Sequence, residues 1–376
     1  MGDLNNTYAL SCFVLSHIPF IKADLVSRIK RTTDNLNSFL NIDSEKLMKS
    51  KLFSGDEIKK IILCLKKQNE FKAHFEKMSL KQIHMISIED ESYPERLKLI
   101  PDPPYFLFYS GTLPNEDAPT LSVIGARECS YYGEEAASMI GELCGKRKIQ
   151  LISGMARGID SISELACVNA GGYSAGVLGG GPDICYPKES RSLYNKLLST
   201  GCVLSEHPPG VNPLPINFVM RNRIISGLSD GVCVIEAKEK SGTLITVDAA
   251  LEQGKDVYAL PGRIFDKVNQ GCNRLIKQGA EIILSPEEFI DEFLLDKYSI
   301  AREKNPGKSN KMPRDLTYEE KLIFEYVDEN AFTPDDIQRN IPLNQNAIFT
   351  ALLSLSEKGL LINMGSMRFR KSYFMN

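Results

Sequence analysis

The chain has 376 residues, enough for two or three domains, because a single hydrophobic core rarely grows beyond roughly 250 residues. Its 43% hydrophobic and 25% charged residues exclude a disordered chain or a fibre, and 45 Lys+Arg against 48 Asp+Glu leave a formal net charge of -3, so bulk charge does not attract a polyanion. Nine cysteines without a CxxC pair read as reduced, buried thiols of a cytosolic protein and leave no zinc site legible.

The N-terminal stretch Met-Gly-Asp-Leu-Asn-Asn-Thr carries no basic segment of a secretory leader, and no run of 18 apolar residues follows, so a cytoplasmic protein without a membrane segment is expected. From Tyr8 to about Glu89 the pattern is helical: Leu25 and Ile29, then Ile58, Ile61, Ile62 and Leu65, recur at three- and four-residue spacing with lysines opposite. This predicts a small helical bundle, a SAM-like unit over residues 1–90, whose Lys59-Lys60 and Lys66-Lys67 strips read as solvated faces rather than phosphate contacts. Tyr93-Pro94 and Pro101-Asp-Pro-Pro104 punctuate the chain before an aromatic strand over residues 105–109.

From Thr120 to about Leu295 short β runs alternate with helical runs, the pattern of a parallel sheet covered on both faces. Strands are predicted at 121–124, 150–153, 174–178, 202–205, 231–236, 256–260 and 281–284. The fold class is therefore a doubly wound α/β domain over residues 91–295, and ligands of such sheets bind at the carboxyl ends of the strands. Cations stand at five of these ends: Arg127, Arg157, Lys188, Lys240 and Arg263. On a slightly acidic protein they gather positive potential on one rim, where it selects a multiply charged ligand.

The second strand leads into Gln150-Leu-Ile-Ser-Gly-Met-Ala-Arg-Gly-Ile-Asp-Ser-Ile-Ser-Glu164. Gly154 and Gly158 permit a tight turn, Asp160 or Ser161 is placed to cap the following helix, and the helix N-terminus favours an anion. Arg157 either adds charge to that turn or braces it through Asp160. Residues 208–222 show no periodicity and read as a long functional loop, in which Arg221, Asn222 and Arg223 offer donors to phosphates. Phe218 is open to two readings, a face for base stacking or ordinary core packing. Lys240-Ser-Gly-Thr243 repeats the combination of lysine, glycine turn and helix N-terminus.

Several enzyme classes lose their signatures. The first turn, Gly125-Ala-Arg-Glu-Cys-Ser-Tyr-Tyr-Gly133, is not GxGxxG, no GxxxxGK[ST] occurs, and only His207 of four histidines lies in the α/β region. Glu236 and Asp160 are the acidic residues best placed to act if any chemistry occurs. No cofactor or metal is expected.

Taken in order, these motifs resemble the DNA processing protein A family, also called Smf. The matching residues are Ile124-Gly-Ala-Arg127, Ser153-Gly-Met-Ala-Arg-Gly-Ile-Asp160, Leu178-Gly-Gly-Gly-Pro-Asp183 with Tyr186-Pro-Lys188, and Ser205-Glu-His-Pro-Pro-Gly210. They continue through Asn217-Phe218, Arg221-Asn-Arg-Ile-Ile-Ser-Gly-Leu-Ser229, Glu236-Ala237, Lys240-Ser-Gly-Thr243, Pro261-Gly262 and Gly271-Cys-Asn-Arg-Leu-Ile-Lys-Gln-Gly-Ala280. Met155, His207 and Arg263 depart from the commoner residues of that pattern. The resemblance implies an extended Rossmann-like fold that forms a homodimer, and a non-catalytic protein that binds single-stranded DNA and loads a RecA-type recombinase during natural transformation. Carried over by motif, the DNA-binding residues it implies are Arg127, Gly154, Lys188, Asn217, Phe218, Arg221, Asn222 and Lys240. The alternative is a phosphoribohydrolase-like enzyme of a related Rossmann-like fold, whose Pro-Gly-Gly-x-Gly-Thr-x-x-Glu signature is only faintly echoed by Lys240-Ser-Gly-Thr243.

A polar linker is predicted over residues 296–314 and a third unit over 315–376. Amphipathic helices over 316–327, from Thr333-Pro334 and over 344–356, with Gly359 ending the last, precede a hairpin of 360–363 with 368–373. That order resembles a winged helix. Its third helix carries Asn344, Gln345, Asn346 and Thr350 but no cation, so strong major-groove reading is not expected. Lys358, Arg368, Arg370 and Lys371 are consistent either with phosphate contacts or with a partner-docking module.

Overall fold

The computed structural model describes residues 2–33, 35–304, 316–327, 332–358, 360–363 and 368–371. Contacts divide the chain into two compact units, Met1–Leu294 and Leu295–Asn376.

The first unit opens with helices α1 (Gly2–Leu15), α2 (Ala23–Thr33), α3 (Ser44–Lys49), α4 (Gly55–Lys66) and α5 (Gln68–Met78). α2 buries Leu25, Val26 and Ile29 on one face, and α4 starts in a capping box in which Ser54 and Glu57 each accept from the other's backbone N–H. Arg28 of α2 reaches Glu57 at 2.6 Å and ties the two helices together. This pair holds the Glu57 carboxyl down at about 2.

Next come β1 (His84–Ser87), α6 (Glu95–Lys98) and β2 (Phe106–Gly111). Residues 84–87, expected within the helical stretch, form an edge strand instead. Their conformation comes from antiparallel pairing with β2, a long-range effect that local periodicity does not carry. β2 faces two cores, as the two-residue alternation of a strand allows. Leu107 joins the sheet core, while Phe106 and Phe108 pack under the N-terminal helices, with Phe13 edge-on to Phe108 at 5.9 Å.

The remainder alternates regularly: β3 (Thr120–Ile124), α7 (Tyr131–Lys146), β4 (Gln150–Ser153), α8 (Ile159–Asn169), β5 (Ser174–Val177), α9 (Arg191–Thr200) and β6 (Cys202–Ser205). It continues with α10 (Pro215–Gly227), β7 (Gly231–Val234), α11 (Gly242–Glu252), β8 (Asp256–Ala259), α12 (Gln270–Lys277), β9 (Glu281–Ile282) and α13 (Pro286–Lys304). All nine strands make one mixed sheet in the order β1-β2-β6-β5-β4-β3-β7-β8-β9, parallel from β6 through β9 and antiparallel at β1, β2 and the β2–β6 seam. The fold is thus α/β with a mainly parallel sheet, and its winding reverses beside β3: the chain steps from β3 to β4 on one side and returns by α10 to β7 on the other.

α10 corrects the expectation of a long loop. Pro215 occupies a first-turn position, where its missing N–H costs nothing, and the helix runs to Gly227. Periodicity failed here because the buried face includes Asn217 and Arg221, whereas Ile216 and Val219 are exposed. A second correction concerns α8. Its N-cap is Gly158 at φ 75°, and neither Asp160 nor Ser161 caps it; the Ser161 hydroxyl donates to the carbonyl of Ala156 at 2.6 Å.

The second unit contains α14 (Tyr318–Tyr326), α15 (Pro334–Asn340), α16 (Gln345–Glu357) and the antiparallel pair β10 (Leu361–Asn363) and β11 (Phe369–Lys371). Thr317 with Glu320 and Thr333 with Asp336 form capping boxes, and Ile323, Phe324, Ile337, Ile348, Leu352 and Leu355 make its core. The linker expected over 296–314 is helical in its first part, because α13 continues to Lys304; its remainder, the expected helix end at Gly359 and the hairpin residues beyond Lys371 lie outside the described residues.

Candidate nucleic-acid interface

Where the winding reverses, the loops after β3 and β7 diverge and leave a cleft of about 640 Å³ over the strand ends. The loop after β3 supplies Arg127 and Glu128, the loop after β7 supplies Lys238, Lys240 and Ser241, and α10 closes the third side with Phe218, Arg221 and Asn222. Arg127, Lys238 and Lys240 are exposed, and none of the three is in an ion pair among the described residues.

Buried polar contacts hold these loops. Glu236, fully buried at φ 147°, accepts from the Ser130 backbone N–H at 2.8 Å and from the Ser130 hydroxyl at 2.5 Å. Ser130 in turn caps α7 by accepting from Gly133 N–H, so one carboxylate fastens the Arg127 loop to the end of β7. Ser241 caps α11, and the Thr243 hydroxyl donates to the carbonyl of Gly125 at 3.2 Å, joining the two loops again. The N-terminus of α11 therefore lies beside three cations, which favours an anionic ligand with more than one charge.

The floor is a buried charged cluster. Arg221, 4% exposed, donates from Nη1 to the carbonyl of Gly154 at 2.9 Å and to that of Val177, and from Nε to Asn222 Oδ1 at 3.2 Å. Burial lowers its pKa to about 10, against the opposing pull of Asp160 and Glu164. Burial raises the Asp160 carboxyl despite Arg221 and the backbone N–H groups of Gly125, Ala156 and Gly154. It raises Glu164 well above the ordinary carboxylate range, helped by the negative charge of Asp160. Glu164 Oε2 accepts from Met155 N–H at 3.1 Å, while Oε1 is buried without a partner.

The predicted site residues divide accordingly. Arg127, Phe218, Arg221, Asn222 and Lys240 come together around the cleft. Lys188 stands exposed on a single 3-10 turn, Lys188–Ser190, two residues beyond Tyr186, which does line the cleft. Asn217 is buried and lines a smaller cavity with His207 and Phe20 rather than the cleft. Gly154 lies beneath Arg221: a Cβ there would sit 2.6 Å from both Nη atoms, so the space at this glycine is filled by a guanidinium. Phe218 is half-buried against Gly179, 5.4 Å from the Tyr186 ring and 5.8 Å from the Arg221 guanidinium.

Other rim cations are engaged differently from expectation. Arg157 pairs with Glu189 at 2.5 Å, not with Asp160. Arg223, read as a phosphate donor, makes a two-pronged pair with Glu206 at 2.7 and 3.2 Å, and a third contact with Asp102 at 3.5 Å. Arg263 lines a separate cleft. Lys238 and Tyr186 are cleft residues not singled out by the sequence; Tyr186 lies within the quoted Tyr186-Pro-Lys188, and Lys238 falls between Glu236-Ala237 and Lys240-Ser-Gly-Thr243. Among the described residues no group of His, Cys, Asp and Glu is arranged to hold a metal ion, and no helix is long and apolar enough to cross a membrane.

The model of the DNA recombination-mediator protein A family matches residues 84–294. The chain is 39% identical over 221 residues to DNA processing protein DprA of Streptococcus pneumoniae, covering 59% of this chain and 78% of that protein. It is 31% identical over 351 residues to protein Smf of a Synechocystis strain, covering 85% and 87%. The X-ray structure of the Streptococcus pneumoniae protein superposes with a TM-score of 0.62 at 30% identity, covering 76% of this chain and 98% of that one. A structure of DNA processing protein A from Helicobacter pylori, described for its single-stranded DNA binding mode, gives 0.52 at 25% identity, covering 57% and 97%.

Proposed function

The chain belongs to the DNA recombination-mediator protein A family, and on that premise we propose that its strand-end cleft binds the backbone of single-stranded DNA. The observation that carries the reading is the convergence of exposed Arg127, Lys238 and Lys240 with the N-terminus of α11 at the point where the sheet's winding reverses. Arg127 and Lys240 contact phosphates, Lys188 extends the positive track along the rim, and Phe218 with Tyr186 supplies a face for a base. Asn217, Gly154, Arg221 and Asn222 act from beneath by fixing α10 and the ends of β4 and β5.

The protein is a binder rather than an enzyme. The phosphoribohydrolase-like alternative is not favoured: the matches are to DNA processing proteins, and Glu236 serves the Ser130 cap. On this reading a homodimer in the cytoplasm hands single strands to a RecA-type recombinase during natural transformation. The helices through Met78 act as a SAM-like helical domain, the sheet from β1 onward as an extended Rossmann-like DNA-binding domain, and the chain after α13 links it to residues 315–376, a winged-helix-like domain.

Fluorescence anisotropy of a labelled oligothymidylate tests the site. Wild-type affinity should fall steeply with salt and exceed that for duplex of equal length, and Arg127→Ala with Lys240→Ala should reduce the salt slope by about 0.7 per lost phosphate contact. An unchanged slope and affinity in the double variant would remove the cleft from consideration.

A further inference from the structure

A second cleft of about 610 Å³ opens at the end of β8, lined by Ser130, Tyr131, Tyr132, Arg263, Asp266 and Asn269 together with Pro261 and Gly262. We propose that it is a base-holding subsite, taking one unstacked base of a DNA single strand whose phosphates follow the first cleft; it rests on the reading of that first cleft given above.

Four features support this. First, the aromatic surface is displayed rather than packed: Tyr131 is 79% exposed on the first turn of α7, and Phe265 is 87% exposed at the crest of the turn between Arg263 and Asp266. That turn is closed by Asp266 N–H donating to the Arg263 carbonyl at 3.1 Å. Tyr131 lines the cleft and Phe265 stands beside its lining residue Asp266; exposed rings mark binding surfaces, and every base has a face that stacks on them.

Second, the turn is held in place. Asn273 Nδ2 donates to the Gly262 carbonyl at 3.0 Å and its Oδ1 accepts from Gly262 N–H at 3.1 Å, while the Tyr132 hydroxyl donates to the Pro261 carbonyl at 3.0 Å. Third, the polar groups match a base better than a phosphate. Asn269 is only 3% exposed and its Oδ1 has no hydrogen-bond partner, and Asp266 adds an exposed carboxylate that accepts from amino or imino groups. Arg263 is the cation available to the flanking phosphate.

Fourth, the two clefts share a wall. The segment 127–130 contributes Arg127 and Glu128 to the first and Ser130 to the second, and the Ser130–Glu236 bonds keep that divider rigid. A strand leaving the first cleft over this wall meets Tyr131 at once.

The test uses the full chain and two probes of equal length: an oligothymidylate, and the same backbone with abasic sites throughout. The variants are Tyr131→Ala, Phe265→Ala and their combination; both side chains are exposed, and unchanged melting temperatures verify the fold. The double variant is expected to bind the oligothymidylate roughly tenfold more weakly, to bind the abasic strand as wild type does, and to keep the wild-type salt slope. A strand carrying 2-aminopurine should be quenched by wild type and less quenched by the variant. Equal affinity of variant and wild type for both probes would overturn the subsite, as would equal loss on both. A change confined to the solution mass would overturn it in favour of a protein-facing surface. If wild type bound no oligonucleotide, the first-cleft reading would fall and this one with it.

Discussion

A methyl group on Gly154 has nowhere to go, because both Nη atoms of Arg221 lie 2.6 Å from where it would stand and that guanidinium is held by two carbonyls. Gly154→Ala is therefore expected to lower stability by about 1–3 kcal/mol through overpacking, read as a shift of the urea midpoint at unchanged m. Glu164 supplies a pH prediction at the same scale. Its folded pKa is raised by burial, so between the unfolded carboxylate range and that raised value the unfolded chain holds fewer protons and stability falls as pH rises. Glu164→Gln, which mimics the protonated form, should flatten the decline as pH rises above the ordinary carboxylate range; midpoints measured across that rise that stayed parallel to wild type would exclude Glu164 as its source. Arg127 and Lys240 could be chosen from sequence because exposed cations at strand ends follow from topology alone. The roles of Gly154 and Arg221 could not, since the two residues are 67 positions apart and meet only when α10 crosses the sheet.

Among the elements, β2 and α10 show how tertiary packing overrides local pattern. β2 reads as a run of aromatic residues, yet its alternate faces serve two cores, so Phe108→Ala should loosen the N-terminal helices from the sheet. The expected cost is about 3–5 kcal/mol, measurable as a lower urea midpoint, with greater proteolytic sensitivity in residues 1–80 than in the sheet. α10 buries Asn217 and Arg221 alongside Ile224 and Ile225 and exposes Ile216 and Val219, a mixed pattern in which no clean periodicity announces the helix. Where a cap is local the sequence is a better guide: Thr333-Pro334, read as a helix start, caps α15 in a box with Asp336. Replacing Ser54 by Ala should cost about 1 kcal/mol.

For the molecule as a whole, the formal charge of -3 means that, on the proposed function, attraction to DNA comes from one rim and not from the protein's net field. Association should accordingly weaken sharply with salt, since screening acts on a local cluster over about 10 Å at 0.1 M. Because contacts divide the chain at Leu294, a fragment of residues 1–294 should fold cooperatively and retain oligonucleotide binding, checked by thermal melting and anisotropy. The amino-acid sequence by itself determined the alternating α/β order, the strand ends and the exposed cations there, because periodicity and glycine-bearing turns are local properties of the chain. Only the tertiary structure decided which of those cations share one cleft, which arginines are committed to Glu206 or to backbone carbonyls, and that the glycine of the second turn makes room for Arg221. These outcomes depend on contacts between residues far apart in the chain, and such contacts exist only once the sheet has set which strand ends are neighbours.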